Sequence, residues 1–259
     1  MKTRMIHIIL LVSAMYAFCP MRSGAQDMPY GVYSVENVSD MPSLACFVPS
    51  FAGVGFRNDF GTKEMMHLEF SGTLNRQHNV LMFGLRHYGY AKYGQMHLSL
   101  GYGRNFGDRL AMSVRFYYMM DHARDYPARH SLCADLSLAV PITSKGWITV
   151  SAYNPFVLHY GVVGKEVIPL KFTLGGVYAP TSKLLFSLTT AKSFPGTWEI
   201  GCQFITQPIT PLLVAADCAN THVGVSVHLL YKKFLVSVKA AWYYRISVSP
   251  EIRGYYFDI

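Results

Sequence analysis

GQMHLSLGYGRNFGDRLAMSVRFYY, the stretch from Gly94 to Tyr118, alternates between apolar residues and polar or small ones on both sides of a central Gly-Asp. The apolar positions are every second residue, which are Met96, Leu98, Leu100 and Tyr102 before the turn and Leu110, Met112, Val114 and Phe116 after it. A period of two places each set on one face of a β-strand. The stretch therefore predicts two long antiparallel strands joined by a tight turn, with an apolar face that contacts either a protein core or lipid.

The same period of two recurs from residue 51 onward, and no helical period of 3.6 is sustained over three turns. Turn residues separate the alternating runs. The runs predict fourteen strands, at roughly 50–57, 64–72, 79–88, 94–105, 109–119, 130–140, 146–153, 168–179, 183–192, 197–206, 210–216, 221–231, 234–243 and 246–257. Outer-membrane barrels have an even number of strands, short turns at one end and longer loops at the other. The two longest connections, Asp121 to Arg129 and Asn154 to Val167, fall on the same predicted end.

The composition favours lipid as the environment of the apolar faces. Hydrophobic residues make up 51% of the chain and charged residues only 15%, whereas soluble domains carry about 25% charge. After residue 25, no apolar run reaches the roughly 18 residues of a transmembrane helix. Tyr and Trp cluster at predicted strand ends, as at 88–93 and 242–244, and the headgroup zone of a membrane favours them. The sequence therefore predicts an all-β, antiparallel transmembrane β-barrel of about 14 strands.

The first residues are typical of a secretory signal peptide. Basic residues precede an apolar run from Ile8 to Phe18, and small residues at 23–25 suit cleavage after Ala25. We therefore assign residues 1–25 to a signal peptide, 26–49 to an N-terminal segment without a strand pattern, and 50–259 to the barrel. This organisation predicts an outer-membrane location in a Gram-negative bacterium, with membrane lipid and glycolipid as neighbours.

If the apolar set faces lipid, the alternate set faces the lumen. The charged and histidine side chains of that set carry both signs: Lys63, His67, Glu69, Arg86, His97, Arg109, Arg115, Asp135, Lys171, Glu199, His222, His228, Lys239, Glu251 and Arg253. One interpretation is a lumen closed by ion pairs and water, with a structural role only. The other is a polar conduit or ligand pocket. Apolar inward positions such as Met82 and Val177 either line a path for a hydrophobic ligand or pack against residues 27–47, which would then plug the lumen.

Several kinds of chemistry lack their motifs in this sequence. No GxSxG nucleophile motif occurs, and GYGRNFG at 101–107 ends a strand instead of beginning a helix, so it does not predict a phosphate-binding loop. Basic residues are scattered despite a formal charge of +8, which argues against nucleic acid as a partner. Cys46, Cys133, Cys202 and Cys218 show no CxxC spacing. We interpret them as small buried or lumenal thiols, with a disulfide as the alternative. We expect no enzymatic activity, no metal site and no cofactor.

Three phrases resemble the FadL-like outer-membrane proteins of Bacteroidetes, the broad group that includes PorV and PorQ. They are FGLRHYGYAKYGQMHLSLGYGRNFGDRLAMSVRFYY at 83–118, AYNPF at 152–156 and IPLKFTLGGVYAPTSKLLFSLTTAKSFPGTWEIGCQF at 168–204. The resemblance implies a fourteen-stranded barrel in the outer membrane. The group often carries Asn-Pro-Ala near the N-terminus, where this sequence has Met41-Pro42-Ser43. The N-terminal hatch of fatty-acid channels is therefore not carried over.

Three hypotheses about function follow. The first is FadL-like passage of small hydrophobic or amphipathic compounds across the outer membrane. The second is a non-catalytic PorV-like role, either as an accessory that binds secretion-system proteins in type IX secretion or as a structural scaffold. The third is a soluble periplasmic β-sandwich, in which the apolar faces would form a protein core. Passage of a hydrophobic small molecule is the function that we predict.

Overall fold

The computed structural model describes residues 35–62, 64–90, 92–107, 109–143, 145–156, 159–160, 166–181, 183–209, 212–243 and 248–258. The predicted signal peptide, the first part of the N-terminal segment and Lys63 lie outside the described residues. Most of the described chain is β-strand, and nearly all of it belongs to one sheet.

Fourteen antiparallel strands close into a barrel. In chain order, and with a two-stranded hairpin counted as β8 and β9, the strands are β1 (Ser50–Asn58), β2 (Met66–Arg76), β3 (Asn79–Tyr90), β4 (Tyr93–Asn105), β5 (Ala111–Ala123), β6 (Arg129–Thr143), β7 (Gly146–Tyr153), β8 (His159–Tyr160), β9 (Glu166–Val167), β10 (Leu170–Thr181), β11 (Leu184–Phe194), β12 (Trp198–Ile209), β13 (Leu212–Ala219), β14 (His222–Tyr231), β15 (Phe234–Tyr243) and β16 (Val248–Asp258). Each barrel strand pairs with the next, β7 pairs with β10, and β1 pairs with β16 to complete the wall. The predicted fold class is confirmed.

Each of the fourteen predicted segments corresponds to one barrel strand, with ends that differ by a few residues. Pro208 and Pro211 interrupt the alternating pattern near the predicted strand 210–216, yet β13 forms at Leu212–Ala219. One predicted lumen residue, Arg109, lies outside the strands. Strand β5 begins only at Ala111, and Arg109 is exposed in the preceding turn. Gly107 in this turn has a φ of +68°, which residues with a Cβ rarely adopt. The prediction that a strand carries Arg109 into the lumen is therefore wrong.

Side chains along the strands alternate between exposed apolar residues and buried small or polar ones. On β6, Leu132 and Leu136 are exposed, whereas Cys133, Asp135 and Ser137 are buried. The same alternation occurs around the wall, from Val54 on β1 to Ile252 on β16. A β-sandwich buries its large apolar side chains between two sheets, whereas here they cover the outside of a single closed sheet. The hypothesis of a soluble sandwich is wrong.

The connections give the barrel two different ends. At one end, here called the turn end, tight turns such as residues 77–78 and 232–233 join the strands. At the other, the loop end, the connections include residues 124–128 and residues 154–169, which contain the β8–β9 hairpin. The two longest predicted loops therefore do lie at the same end, as expected for an outer-membrane barrel.

Helical structure in the described residues consists of three short 3-10 helices, Val35–Val38, Pro42–Cys46 and Asp59–Gly61. Among the described residues, none of these helices is long and apolar enough to cross a membrane. The first two belong to the N-terminal segment, and the third follows β1 at the loop end.

Replacing an outward leucine by arginine distinguishes lipid from water around the barrel. Leu136 is near the middle of β6, and we expect Leu136→Arg to lower the free energy of unfolding in lipid vesicles by about 2–4 kcal/mol, because a cation at the bilayer midplane is poorly solvated. Denaturant unfolding in vesicles measures this change.

Ile142→Arg is the matched control, because Ile142 is exposed on the same face of the same strand but near its turn end. Its cost should be about 0–1 kcal/mol near the membrane interface. If the outer face contacted water, both substitutions would change stability by less than about 0.5 kcal/mol. Equal, small effects would therefore contradict a lipid-facing surface.

Candidate functional site

The described part of the N-terminal segment, residues 35–49, packs against inward-facing residues near the turn end. Val35, Val38, Met41, Leu44 and Val48 are buried. They form one apolar cluster with wall residues that include Phe51, Val80, Met82, Trp147, Val177, Leu185, Ile205, Leu213, Leu235, Tyr255 and Phe257. Most of these wall residues lie near the turn-end termini of their strands. The turn-end half of the barrel thus contains an apolar core, and Met82 and Val177 belong to it.

Hydrogen bonds also attach this segment to the wall. The hydroxyl oxygens of Ser43 and Ser137 are 2.7 Å apart, and Thr149 donates its hydroxyl to Met41 Sδ at 2.9 Å. At Gly175, a Cβ atom would lie 2.6 Å from Met41, so the wall approaches the methionine closely only because residue 175 is glycine. These contacts lie on β6, β7 and β10, which form one continuous part of the barrel.

The loop-end half contains a polar cavity of about 540 Å³, here called the loop-end cavity. Its lining includes Arg57, His67, Glu69, Arg86, His97 and Arg253 from strands β1 to β4 and β16. Ser39 and Asp40 of the N-terminal segment also line it, so this segment separates the polar cavity from the apolar core. The lumen thus contains a polar cavity on the loop-end side of residues 39–40 and, on the turn-end side, an apolar cluster with a few buried polar residues such as Ser226, His228 and Ser237.

Charged groups in the loop-end cavity lie close to groups of opposite sign. Asp59 Oδ1 forms an ion pair with Arg57 Nε at 2.9 Å, and Asp59 Oδ2 accepts a hydrogen bond from Arg57 Nη2 at 3.4 Å and is 2.7 Å from His67 Nε2. Glu69 pairs with Arg86 at 3.1 Å, and Arg253 pairs with Glu251. The cavity thus presents both signs of charge to a ligand, within a few ångströms of each other.

A second charged group lies on β13 to β15. Asp217 forms an ion pair with Lys239 at 2.9 Å, and its other carboxylate oxygen lies 3.1 Å from His222 Nε2. Lys239 is two strands away, and the residue of β14 directly opposite Asp217 is Gly224, where a Cβ atom would lie 2.6 Å from the Asp217 carboxylate. The missing side chain of Gly224 therefore lets the carboxylate extend across β14.

Arg115 links the wall to the N-terminal segment. Its Nη2 donates to the backbone oxygen of Ser39 at 2.6 Å and lies 3.4 Å from Asp135 Oδ2. Tyr117 also donates to Asp135, at 3.5 Å. The Arg115 and Asp135 side chains are only 11% and 6% exposed. This ion pair is thus excluded from water at the point where the segment borders the loop-end cavity.

Thirteen of the predicted lumen residues occupy inward positions, alternating with outward residues on their strands: His67, Glu69, Arg86, His97, Arg115, Asp135, Lys171, Glu199, His222, His228, Lys239, Glu251 and Arg253. The loop-end cavity brings together His67, Glu69, Arg86, His97, Glu251 and Arg253. Lys171 and Glu199 form a separate pair at 2.7 Å, and His228 is buried beside Ser226 at 2.9 Å.

Sequence reasoning missed Arg57, Asp59 and Asp217 as members of these charged groups. Arg57 and Asp217 lie at positions that the alternation along their strands places on the inner face, so the sequence pattern could have identified them. Asp59 lies in the 3-10 helix after β1, where the period of two has ended. In the described part of the chain, no group of three or more His, Cys, Asp or Glu side chains is arranged to hold a metal ion.

Comparison with known proteins relates this fold to outer-membrane channels. No family model and no curated protein matches the sequence. Solved structures that match include the Ralstonia pickettii toluene transporter TbuX (TM-score 0.64, 8% identity, 86% of this chain and 93% of that chain), the P. putida toluene transporter TodX (0.62, 8%, 84% and 92%) and a Pseudomonas aeruginosa FadL homologue (0.61, 7%, 90% and 95%). The chain shares their barrel fold. At this identity the likeness is one of architecture.

Removing one partner of the buried pair should destabilise the barrel strongly. Arg115→Ala leaves the Asp135 carboxylate without its cation, and we expect the free energy of unfolding to fall by about 3–5 kcal/mol. Arg86→Ala is the matched control, because Arg86 pairs with Glu69 but its side chain is 53% exposed. Its loss should cost about 0–1 kcal/mol. Similar costs for the two variants, measured by denaturant unfolding, would contradict this difference in burial.

Cys46 should resist alkylation while the barrel is folded. Burial raises the pKa of the Cys46 thiol to about 12, and only the thiolate reacts. At pH 8 we expect maleimide labelling at Cys46 to be slower than in the unfolded chain by a factor of about 1,000 or more, given an unperturbed thiol pKa of about 8.5. Peptide mass spectrometry after timed labelling measures this, and rapid labelling of the folded barrel would show that the segment around Cys46 is not packed in the lumen.

Proposed function

We propose that this protein is an outer-membrane channel that passes small hydrophobic or amphipathic compounds. The observation that carries the proposal is the loop-end cavity of about 540 Å³, which continues to residues 39–40 inside a barrel with an apolar exterior. The shared fold supports it, because the matched structures include toluene transporters. In this proposal the signal peptide directs export, and the turn end faces the periplasm.

The ligand class follows from the two halves of the lumen. Both signs of charge in the loop-end cavity favour a compound that carries a polar group, since a purely apolar one would displace water from ions without replacing it. The apolar core below favours a hydrophobic portion. An amphipathic compound satisfies both environments, and its polar group would meet Arg57, His67 and Glu251 near the loop end before Arg86, His97 and Arg253.

In this proposal, residues 26–49 act as a plug that limits passage. The described part of this segment packs against the wall at the turn end, and Ser39 and Asp40 border the loop-end cavity. A compound that enters from the loop end would therefore reach residues 39–40 before it reached the periplasm. Passage would require this segment to move or the wall beside it to open.

A non-catalytic scaffold or type IX secretion accessory is the second candidate function. The observation that favours it is the same apolar core, because a lumen occupied at one end serves a structural role without conducting anything. In that case the binding surface for secretion-system proteins would be the loops or the outer rim. Transport and scaffold differ in whether the segment must move.

A reversible tether between segment and wall tests the transport proposal. The Ser43 and Ser137 hydroxyls are 2.7 Å apart, so Ser43→Cys combined with Ser137→Cys should form a disulfide when the other cysteines are replaced by serine. In proteoliposomes that enclose a fluorescent reporter of aromatic compounds, uptake of benzoate, whose charged form crosses lipid slowly by itself, should exceed that of empty vesicles for the untethered protein. Oxidation of the double variant should abolish the excess, and a reductant should restore it.

Ser43→Cys alone is the matched control, because it cannot form the tether and should respond to neither treatment. Uptake no greater than in empty vesicles for the untethered protein would reject transport and leave the scaffold role. Uptake that is unaffected by the tether would reject the plug while retaining transport.

A further inference from the structure

Cys202 and Cys218 lie directly opposite each other on the neighbouring strands β12 and β13. Both side chains are exposed, and both occupy outward positions of their strands, where side chains alternate between the two faces. In the same row, Cys202 pairs with Leu188 and Cys218 with Val223. The two thiols therefore adjoin each other within the apolar outer surface of the barrel.

The hydrogen-bond ladder sets the spacing of the two cysteines. Asn220 donates its backbone N–H to the carbonyl of Ile200 at 3.1 Å. Because pair types alternate along an antiparallel ladder, Cys202 and Cys218 are also a hydrogen-bonded pair, with Cα atoms about 5.5 Å apart. Disulfides join Cα atoms about 4.4–6.8 Å apart. The Cβ atoms of a hydrogen-bonded pair lie near the long end of the range of about 4.5–5.5 Å, and a disulfide holds its Cβ atoms about 3.5–4.5 Å apart. Bond formation therefore requires the two strands to approach each other locally by roughly 1 Å or more.

The β12–β13 seam is irregular beyond this pair. The register shifts between Thr206 and Ile209, and Pro208 has no N–H to donate to the ladder. Strand β13 has 8 residues, whereas β12 has 12. A covalent bond at the loop-end part of the seam would therefore hold together two strands whose ladder is incomplete toward the turn end.

The surroundings leave room for a bond between the sulfurs. Cys202 and Cys218 line a shallow apolar groove of about 710 Å³ on the outer wall. Small residues of the same groove include Gly176 and Ala216, and larger ones include Phe186. No bulky side chain stands between the two thiols, because they are direct partners in the ladder.

The other two described cysteines lie elsewhere. Cys46 contacts β4, where a Cβ at Gly103 would be 3.0 Å from its Sγ. Cys133 is on the inner face of β6 and packs with Met119 and Ile168. Both are inside the barrel, whereas Cys202 and Cys218 are outside it. The outer pair is therefore separated by the wall from the inner thiols.

We propose that Cys202 and Cys218 form a modification site, which is oxidised to a cross-strand disulfide that fixes the β12–β13 seam. The oxidant is a thiol–disulfide oxidoreductase in its disulfide form, a class that acts outside the inner membrane. One cysteine thiolate attacks the oxidant's disulfide and releases one oxidant thiol. The second cysteine attacks the mixed disulfide, forms the Sγ–Sγ bond and releases the other oxidant thiol. Two electrons and two protons pass to the oxidant.

The proposal rests on export across the inner membrane and is independent of what the lumen transports. The test uses the full chain, isolated from the outer membrane of a Gram-negative host after acid quenching and alkylation in denaturant with N-ethylmaleimide. Peptide mass spectrometry should find the Cys202 and Cys218 peptides joined, lighter by two hydrogen atoms than their sum and without alkyl groups. Cys46 and Cys133 should be alkylated. Reduction before alkylation should separate the joined peptides.

Two variants complete the test. Cys202→Ser should leave Cys218 alkylated, whereas the matched control Cys46→Ser with Cys133→Ser should leave the joined peptides intact. In hot detergent, the oxidised barrel should unfold more slowly than the reduced one, and the Cys202→Ser barrel should unfold at the same rate with or without reductant. Quantitative alkylation of both cysteines in the chain from an oxidising host would overturn the proposal, whatever the uptake assay shows.

Discussion

The pairing of β1 with β16 is the constraint on which the rest of the structure depends. In lipid, no water is available to satisfy a backbone N–H or C=O group, so a sheet crosses a membrane only if it has no free edge. The first and last strands meet in antiparallel register from Ser50–Asp258 to Arg57–Glu251. Once the ladder is closed, the period of two assigns each residue to one face. The exterior is apolar along the whole wall, whereas the interior is polar toward the loop end and contains an apolar cluster toward the turn end.

A closed wall of this size also limits hydration, because charges that face a narrow lumen lose part of their water. The two halves of the barrel compensate for this loss in different ways. Toward the loop end, acids and bases lie within about 3 Å of each other, as Glu69 and Arg86 do, and the remaining space is open enough for water. Toward the turn end, apolar wall residues meet the N-terminal segment and exclude water. Arg115, paired with Asp135 and bonded to Ser39, stands at the boundary.

The strands were predictable because a wall with lipid on one side imposes a regular alternation that short windows of sequence reveal. Arg109 was assigned to a strand incorrectly because it resembles a strand residue in sequence but belongs to the turn that begins near Gly107, whose φ is positive. The charged residues were predictable only as a lumen-facing set, because the strand register decides which of them pair. Asp217 pairs with Lys239 across Gly224, and the sequence around either residue does not indicate this pairing. The packing of residues 35–49 has no period at all. It depends on complementary shape, such as the space that Gly175 leaves for Met41.

The boundary between the halves is a mechanical connection as well as a chemical one. Arg115 is fixed to the wall through Asp135 and to the segment through the backbone oxygen of Ser39, and Ser39 borders the loop-end cavity. A ligand that moved residues 39–40 would therefore compete with a water-excluded, charge-assisted hydrogen bond, which is stronger than a neutral one. Small movements of the segment are opposed at this contact and at Ser43 and Met41, and all three lie on the β5 to β10 side. Other parts of the wall also hold the segment by directional contacts, because the side-chain amide of Asn75 on β2 donates to the backbone oxygens of Ala45 and Val48, and Asn37 donates to Gln203 on β12 at 3.3 Å. The segment is thus held by directional hydrogen bonds to β2, β5, β6, β7 and β12 as well as by apolar packing, so displacement of the segment requires several of these hydrogen bonds to break.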